Sequence, residues 1–129
     1  MTQKNHLPKD VIVLTIPIGT ALSNVVNIGD FTVCALEMPS AWTAAAITFL
    51  GATPKNDEIT QPTALFSLNT LTGEYSVPSA QAAISKLVIL DPATFSGIQY
   101  IQIRSGIAAT PVNQAAARSI RLYIRPIMK

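Results

Sequence analysis

The chain has 129 residues, of which 49% are hydrophobic and only 12% charged, with a formal net charge of +2. That length allows one domain with one core. The longest nearly apolar run, Ala41 to Leu50, is interrupted by Thr43 and Thr48 and falls far short of the roughly 20 residues a spanning helix needs, so a membrane helix is excluded despite a mean hydropathy of +0.37. Charge this sparse, against about 25% in average soluble domains, leaves apolar surface that another subunit is expected to cover.

Met1 to Asp10 is polar and lacks the apolar centre of a secretory signal, so residues 1–9 are expected to form a flexible tail and 10–129 a single domain made in the cytoplasm. Val11 to Ile16 is β-branched and reads as a strand closed by Pro17 and Gly19. Leu22, Asn24, Val26 and Ile28 follow at period two and lead to a Gly29-Asp30 turn. Phe31, Val33 and Ala35 then alternate with Thr32 and Cys34 as a third strand, ended by Pro39-Ser40. Ala41 to Ala46 has the composition of one helical turn but runs into the strand-like Ile47 to Leu50.

Thr53 to Pro62 is the most polar stretch and is expected to be an exposed loop. Leu65 to Leu68 is a short strand, and Thr72-Gly73 a turn before Tyr75 to Val77. Ala80 to Ser85 is alanine-rich yet too short to be a stable helix by itself. Leu87 to Leu90 is a strand ended by Asp91-Pro92, and Phe95-Ser96-Gly97 a turn into Tyr100 to Arg104, with Ile101 and Ile103 inward and Gln102 and Arg104 outward. A long loop holding Pro111 runs from Ser105-Gly106 to Ala117. In the last strand Ile120, Leu122 and Ile124 alternate with Arg121, Tyr123 and Arg125 until Pro126. Eight or nine strands with frequent turns and no sustained helical period predict an all-β fold, a two-sheet antiparallel β-sandwich of jelly-roll type.

The chemistry of an enzyme is hard to assemble from these residues. The sole histidine, His6, sits in the polar tail, and a general base must be held still. One cysteine, Cys34, offers neither a disulfide nor a zinc cluster and reads as a small core residue. Asp57-Glu58 with Asn56 lies in the polar loop without calcium-loop spacing. No catalytic, metal or cofactor-binding residue is therefore assigned.

Binding candidates remain. Trp42 reads as a plug at the core or a subunit contact, with sugar stacking as the alternative. From Ile98 onward Arg104, Arg118, Arg121, Arg125 and Lys129 occur without an acidic residue, which outlines a basic face or simply outward strand positions. The small net charge argues against nucleic acid.

Three segments together carry a family resemblance: Met38-Pro39-Ser40-Ala41-Trp42-Thr43-Ala44-Ala45, then Ile101-Gln102-Ile103-Arg104-Ser105-Gly106, then Pro111-Val112-Asn113-Gln114-Ala115-Ala116-Ala117-Arg118 before the final strand. In that order the chain resembles, over roughly residues 20–125, small virion-associated structural proteins of tailed bacteriophages and prophages. The resemblance implies a capsid decoration, head spike or adaptor subunit, located in the virion, that binds copies of itself and other virion proteins. Trp42, Arg104, Arg118, Arg121, Tyr123 and Arg125 are then the expected contact residues. The segment after Thr48 is also similar to discoidin-type sandwiches; a carbohydrate-binding module for host attachment is the alternative function, and it requires Trp42, Tyr75, Tyr100 or Tyr123 to be exposed beside polar groups. The Ser-x-Asp-Gly turn of that group is missing from Gly51 to Asp57.

Overall fold

The computed structural model describes residues 10–53 and 65–127. The expected tail with His6, the Asn56, Asp57 and Glu58 triplet and Lys129 lie outside the described residues. No helix among them is long and apolar enough to cross a membrane.

Strands form over most of the segments read as strands from the sequence, although the Leu22 to Ile28 stretch yields only two strand residues. In chain order they are β1 (Asp10–Ile16), β2 (Val26–Asn27), β3 (Phe31–Glu37), β4 (Ile47–Ala52), β5 (Phe66–Ser67), β6 (Asn69–Thr70), β7 (Gly73–Glu74), β8 (Ser76–Val77), β9 (Leu87–Ile89), β10 (Tyr100–Ser105) and β11 (Arg118–Pro126), with one helical turn, α1 (Pro92–Phe95), between β9 and β10. Every pairing is antiparallel. One sheet runs β1-β11-β3-β9, and the other β2-β10-β4-β5 with β8 also on β4. Counting β5 and β8 as one interrupted strand, this is the order of a jelly roll, two Greek-key sheets face to face. The eleven strands among the described residues exceed the expected eight or nine because the chain from Phe66 to Val77 is cut into four two-residue pieces, two of which form the β6-β7 hairpin.

The core lies between the sheets. Leu14, Ile16, Val33, Leu36, Ile120, Leu122 and Ile124 of the first meet Ile47, Phe49, Ile101 and Ile103 of the second. β3 departs from simple alternation. Tyr123 pairs with Ala35 but Ile124 with Val33, so Cys34 is an extra residue in the ladder, a β-bulge. The bulge lets Val33 and Leu36 both face inward and holds Cys34 half-buried, its Sγ donating to the Tyr123 carbonyl at 3.2 Å. Cys34 is thus not the core residue its strand position suggested.

Phe95 is likewise more than part of a turn. Asp91 caps α1 by accepting from Ala93 N–H at 3.0 Å, and Pro92 supplies the preset φ of a first helical residue. The helical turn drives Phe95 into the core, edge-on to Phe49 with centroids 5.1 Å apart and to Tyr75 at 5.6 Å. Ala41 to Ala46 forms no helical turn, and neither does Ala80 to Ser85, where turns bury Ala82.

Candidate functional site

The outward face of the β1-β11-β3-β9 sheet is built by register. Val13 of β1 lies opposite Arg121 of β11, Arg121 opposite Glu37 of β3, and Glu37 opposite Leu87 of β9. The next outward row reads Val11, Tyr123, Ala35, Ile89. Each row therefore begins and ends on a large hydrophobic residue at an edge strand, with Arg121 and Glu37 between in the first and Tyr123 and Ala35 in the second. Val11, Val13, Leu87 and Ile89 are 43%, 48%, 59% and 76% exposed. Such residues singly are ordinary, but four of them in two adjacent rows are an apolar surface with a polar seam.

Tyr123 organises the seam. Its hydroxyl donates to Glu37 Oε1 at 2.5 Å, across the β11-β3 pair. Donating this hydrogen bond to the carboxylate favours the protonated phenol and raises its pKa above the ordinary value, helped by desolvation and the Glu37 charge and partly opposed by Arg121. Two depressions flank the ring. One of about 490 Å³ is lined by Glu37, Met38, Pro39, Ser85 and Lys86, and another of about 420 Å³ by Cys34, Ala35 and Ile89; Leu87 and Tyr123 border both. Arg125 follows Tyr123 on the same outward side and is exposed.

Of the six contact residues expected from the sequence, Arg121, Tyr123 and Arg125 share this face. The other three are elsewhere, and each has internal work. Arg104 points outward from the second sheet, as its alternation required, but it is buried: Nε donates to Thr48 Oγ1 at 3.0 Å, and one terminal nitrogen to Ser67 Oγ at 2.9 Å and Glu74 Oε2 at 2.6 Å. The β6-β7 hairpin carrying Glu74 folds over it, so Arg104 is not presented to a partner. Arg118 is half-buried and donates to Gln114 Oε1 at 3.1 Å and to Thr43 Oγ1 at 3.3 Å. Trp42 packs against the core rim, with its indole N–H donated to the Ala45 carbonyl at 3.2 Å. The C-terminal arginines thus do not form one basic face.

The segments that carried the resemblance meet at one end of the sandwich. Gln114, 1% exposed, is their common anchor: it accepts from Thr43 N–H at 2.8 Å and donates to Thr43 O at 3.0 Å and Ser105 Oγ at 2.6 Å. Its own N–H reaches Thr20 O, and its carbonyl takes the Gly19 N–H. Asparagine is the commoner loop-capping residue, so by sequence the neighbouring Asn113 is the more obvious anchor; only burial singles out Gln114. Gly106 is required for the same knot, with φ +94° and with main-chain atoms of Thr110 and Val112 at 2.6 and 2.7 Å from where a Cβ would stand.

Glu37, Leu87 and Ile89 were missed as surface residues. For Leu87 and Ile89 the signal available was the unbroken apolar character of the β9 segment, which lacks the polar alternate of a half-wet strand; Glu37, at the end of β3, had none. Among the aromatic residues considered for sugar stacking, Tyr100 is 2% exposed and Tyr75 is packed on Phe49 and Phe95, leaving Tyr123 on the surface. Among the described residues no three His, Cys, Asp or Glu side chains gather as a metal site. No protein-family model matches the chain, and no curated protein matches it.

Proposed function

We propose that the chain is a non-enzymatic structural subunit of a tailed-bacteriophage virion, a capsid decoration, head spike or adaptor, assembled in the host bacterial cytoplasm and acting through protein–protein contacts. The observation that carries the reading is the outer face of the β1-β11-β3-β9 sheet, where Val11, Val13, Leu87 and Ile89 stand exposed around Arg121, Glu37 and Tyr123. Apolar flanks around a polar centre suit a partner surface, with the tyrosine and arginine side chains favoured at contacts. The jelly-roll order is compatible with this use, although one fold serves many functions and the argument rests on the surface.

The test is co-sedimentation of the purified chain with intact heads and with tails of the phage or prophage that encodes it. Stoichiometric recovery with one of them, lost in Leu87→Ser/Tyr123→Ser, is the expected result. A chain that stays in the supernatant with both contradicts the reading.

A carbohydrate-binding module is the second reading, favoured by one feature, the Tyr123 ring beside Glu37 between two depressions. Binding to bacterial surface sugars on a glycan array, abolished by Tyr123→Ala, would move the assignment to it. Silence across the array removes it.

A further inference from the structure

The edges of the two sheets are not alike. β9 borders one sheet with three residues, and β2, β5 and β8 border the other with two each. Edges that short offer little to pair with. Among the described residues β1 is the remaining edge. It runs seven residues in unbroken register with β11 and carries none of the usual guards, with no proline, no bulge and no lysine, and a single charge, Asp10, at its start.

One hydrogen bond tells which part of that edge is open. Thr15 N–H donates to Asn24 Oδ1 at 2.8 Å, so it points away from β11. Along a strand, main-chain groups two residues apart point the same way. Val13 and Val11 therefore also turn N–H and C=O to the edge, whereas Ile12 and Leu14 turn theirs to β11. Asn24 covers the edge at Thr15. Among the described residues no hydrogen bond reaches the edge-facing groups of Val11 and Val13.

We infer that this open half-edge pairs with the same segment of a second copy, antiparallel and two-fold, centred on Ile12. The open stretch is symmetric about Ile12, which makes it complementary to itself. In that register Val11 of each copy faces Val13 of the other in a hydrogen-bonded pair, and four main-chain hydrogen bonds satisfy the edge-facing groups of Val11 and Val13. The one charge on the strand raises no conflict, since each Asp10 lies opposite a Leu14. A centre moved toward Leu14 runs into Asn24.

The pairing also continues both faces of the sheet. The outward row Leu87, Glu37, Arg121, Val13 runs on into Val11, Tyr123, Ala35, Ile89 of the second copy, with a four-valine cluster at the seam. On the inner side Ile12, half-buried against the core, meets its counterpart. A seam of this length buries less than the roughly 1,200–2,000 Å² of a standard stable interface, so the pair is reversible and concentration-dependent. This goes beyond the virion reading, needs only the chain itself, and fails separately from it.

Light-scattering mass of the full chain, from about 1 to about 500 µM, is expected to rise from 13.7 kDa toward twice that value. Val13→Pro removes an N–H that β11 does not use and is expected to remain monomeric with an unchanged circular-dichroism spectrum. Should proline disturb the strand, Val11→Lys/Val13→Lys serves the same end by repulsion, and Val11→Lys/Val13→Glu, which sets opposite charges across the seam, is expected to restore the dimer. In a Cys34→Ser background, oxidised Ile12→Cys is expected to form a disulfide dimer, because facing residues of a non-hydrogen-bonded pair have Cα atoms about 4.5 Å apart, while Thr15→Cys does not. A mass fixed at 13.7 kDa throughout, a dimer unaffected by both the proline and the double-lysine variants, or equal cross-linking at positions 12 and 15 overturns the proposal.

Discussion

Gln114 brackets the main chain of Thr43, taking its N–H at 2.8 Å and giving a hydrogen bond to its carbonyl at 3.0 Å, although the two residues are 71 apart in sequence. A side-chain amide thus replaces a strand partner for a loop residue, in a place where 1% of the glutamine is exposed. The same amide holds Ser105 and Arg118, so the Thr43 loop, β10 and β11 are registered against one group.

Removing that group leaves buried donors and acceptors unpaired, and each costs about 1–3 kcal/mol. Gln114→Ala is expected to lower the unfolding free energy by about 3 kcal/mol, read from the urea midpoint at unchanged slope. Asn113→Ala, one residue away and exposed, is expected to change it by less than about 0.5 kcal/mol.

The Arg104–Glu74 pair joins the second sheet to the β6-β7 hairpin. Glu74→Ala strands a guanidinium that is largely shielded from water, and a loss of about 2–3 kcal/mol is expected, below the 3–5 of a fully buried pair because part of Glu74 is exposed. Replacing both residues, Arg104→Met/Glu74→Leu, is expected to cost less than Glu74→Ala alone. A double-mutant cycle by chemical denaturation checks this.

Alkaline pH reports the Tyr123–Glu37 bond. Tyr123 is raised by its hydrogen bond to Glu37, and Tyr75 by burial and then by the Asp91 charge, partly offset by the Asp91 main chain. Both phenols bind their protons more tightly folded than unfolded. Their contribution to stability is complete below the ordinary tyrosine value near 10 and is lost as pH rises from there through the folded values. Spectrophotometric titration is expected to show Tyr123 and Tyr75 ionising above the ordinary value or only on unfolding, with Glu37→Gln moving Tyr123 downward.

Two glycines separate strain from collision. Gly19 has φ +76° with nothing within 4 Å of an added Cβ, so Gly19→Ala is expected to cost about 1–2 kcal/mol, the left-handed penalty alone. Gly106→Ala adds contact with main-chain atoms at 2.6–2.9 Å, which cannot swing aside, and is expected to cost at least twice as much or to prevent folding. Thermal midpoints of the two variants under one buffer decide the comparison.

Much of this architecture is legible in the order of residues. Ile120, Leu122 and Ile124 alternate with Arg121, Tyr123 and Arg125, and a period of two is satisfied by a strand with one face on a core. From such runs come the all-β class, the sandwich and the inward and outward sets of β10 and β11. The phase of β3 does not come from it: whether Cys34 bulges is settled by how Tyr123 and Ile124 of the neighbouring strand take up the ladder. Nor does the fate of the arginines. Arg104 and Arg121 occupy equivalent outward positions, yet Arg104 lies under a hairpin whose Glu74 comes from 30 residues earlier, while Arg121 remains open beside Glu37 and Val13. Local periodicity says which side of a strand faces away from the core. Whether that side meets water, another part of the chain or a second molecule depends on segments distant in sequence, because covering a face is a matter of packing and not of the strand itself.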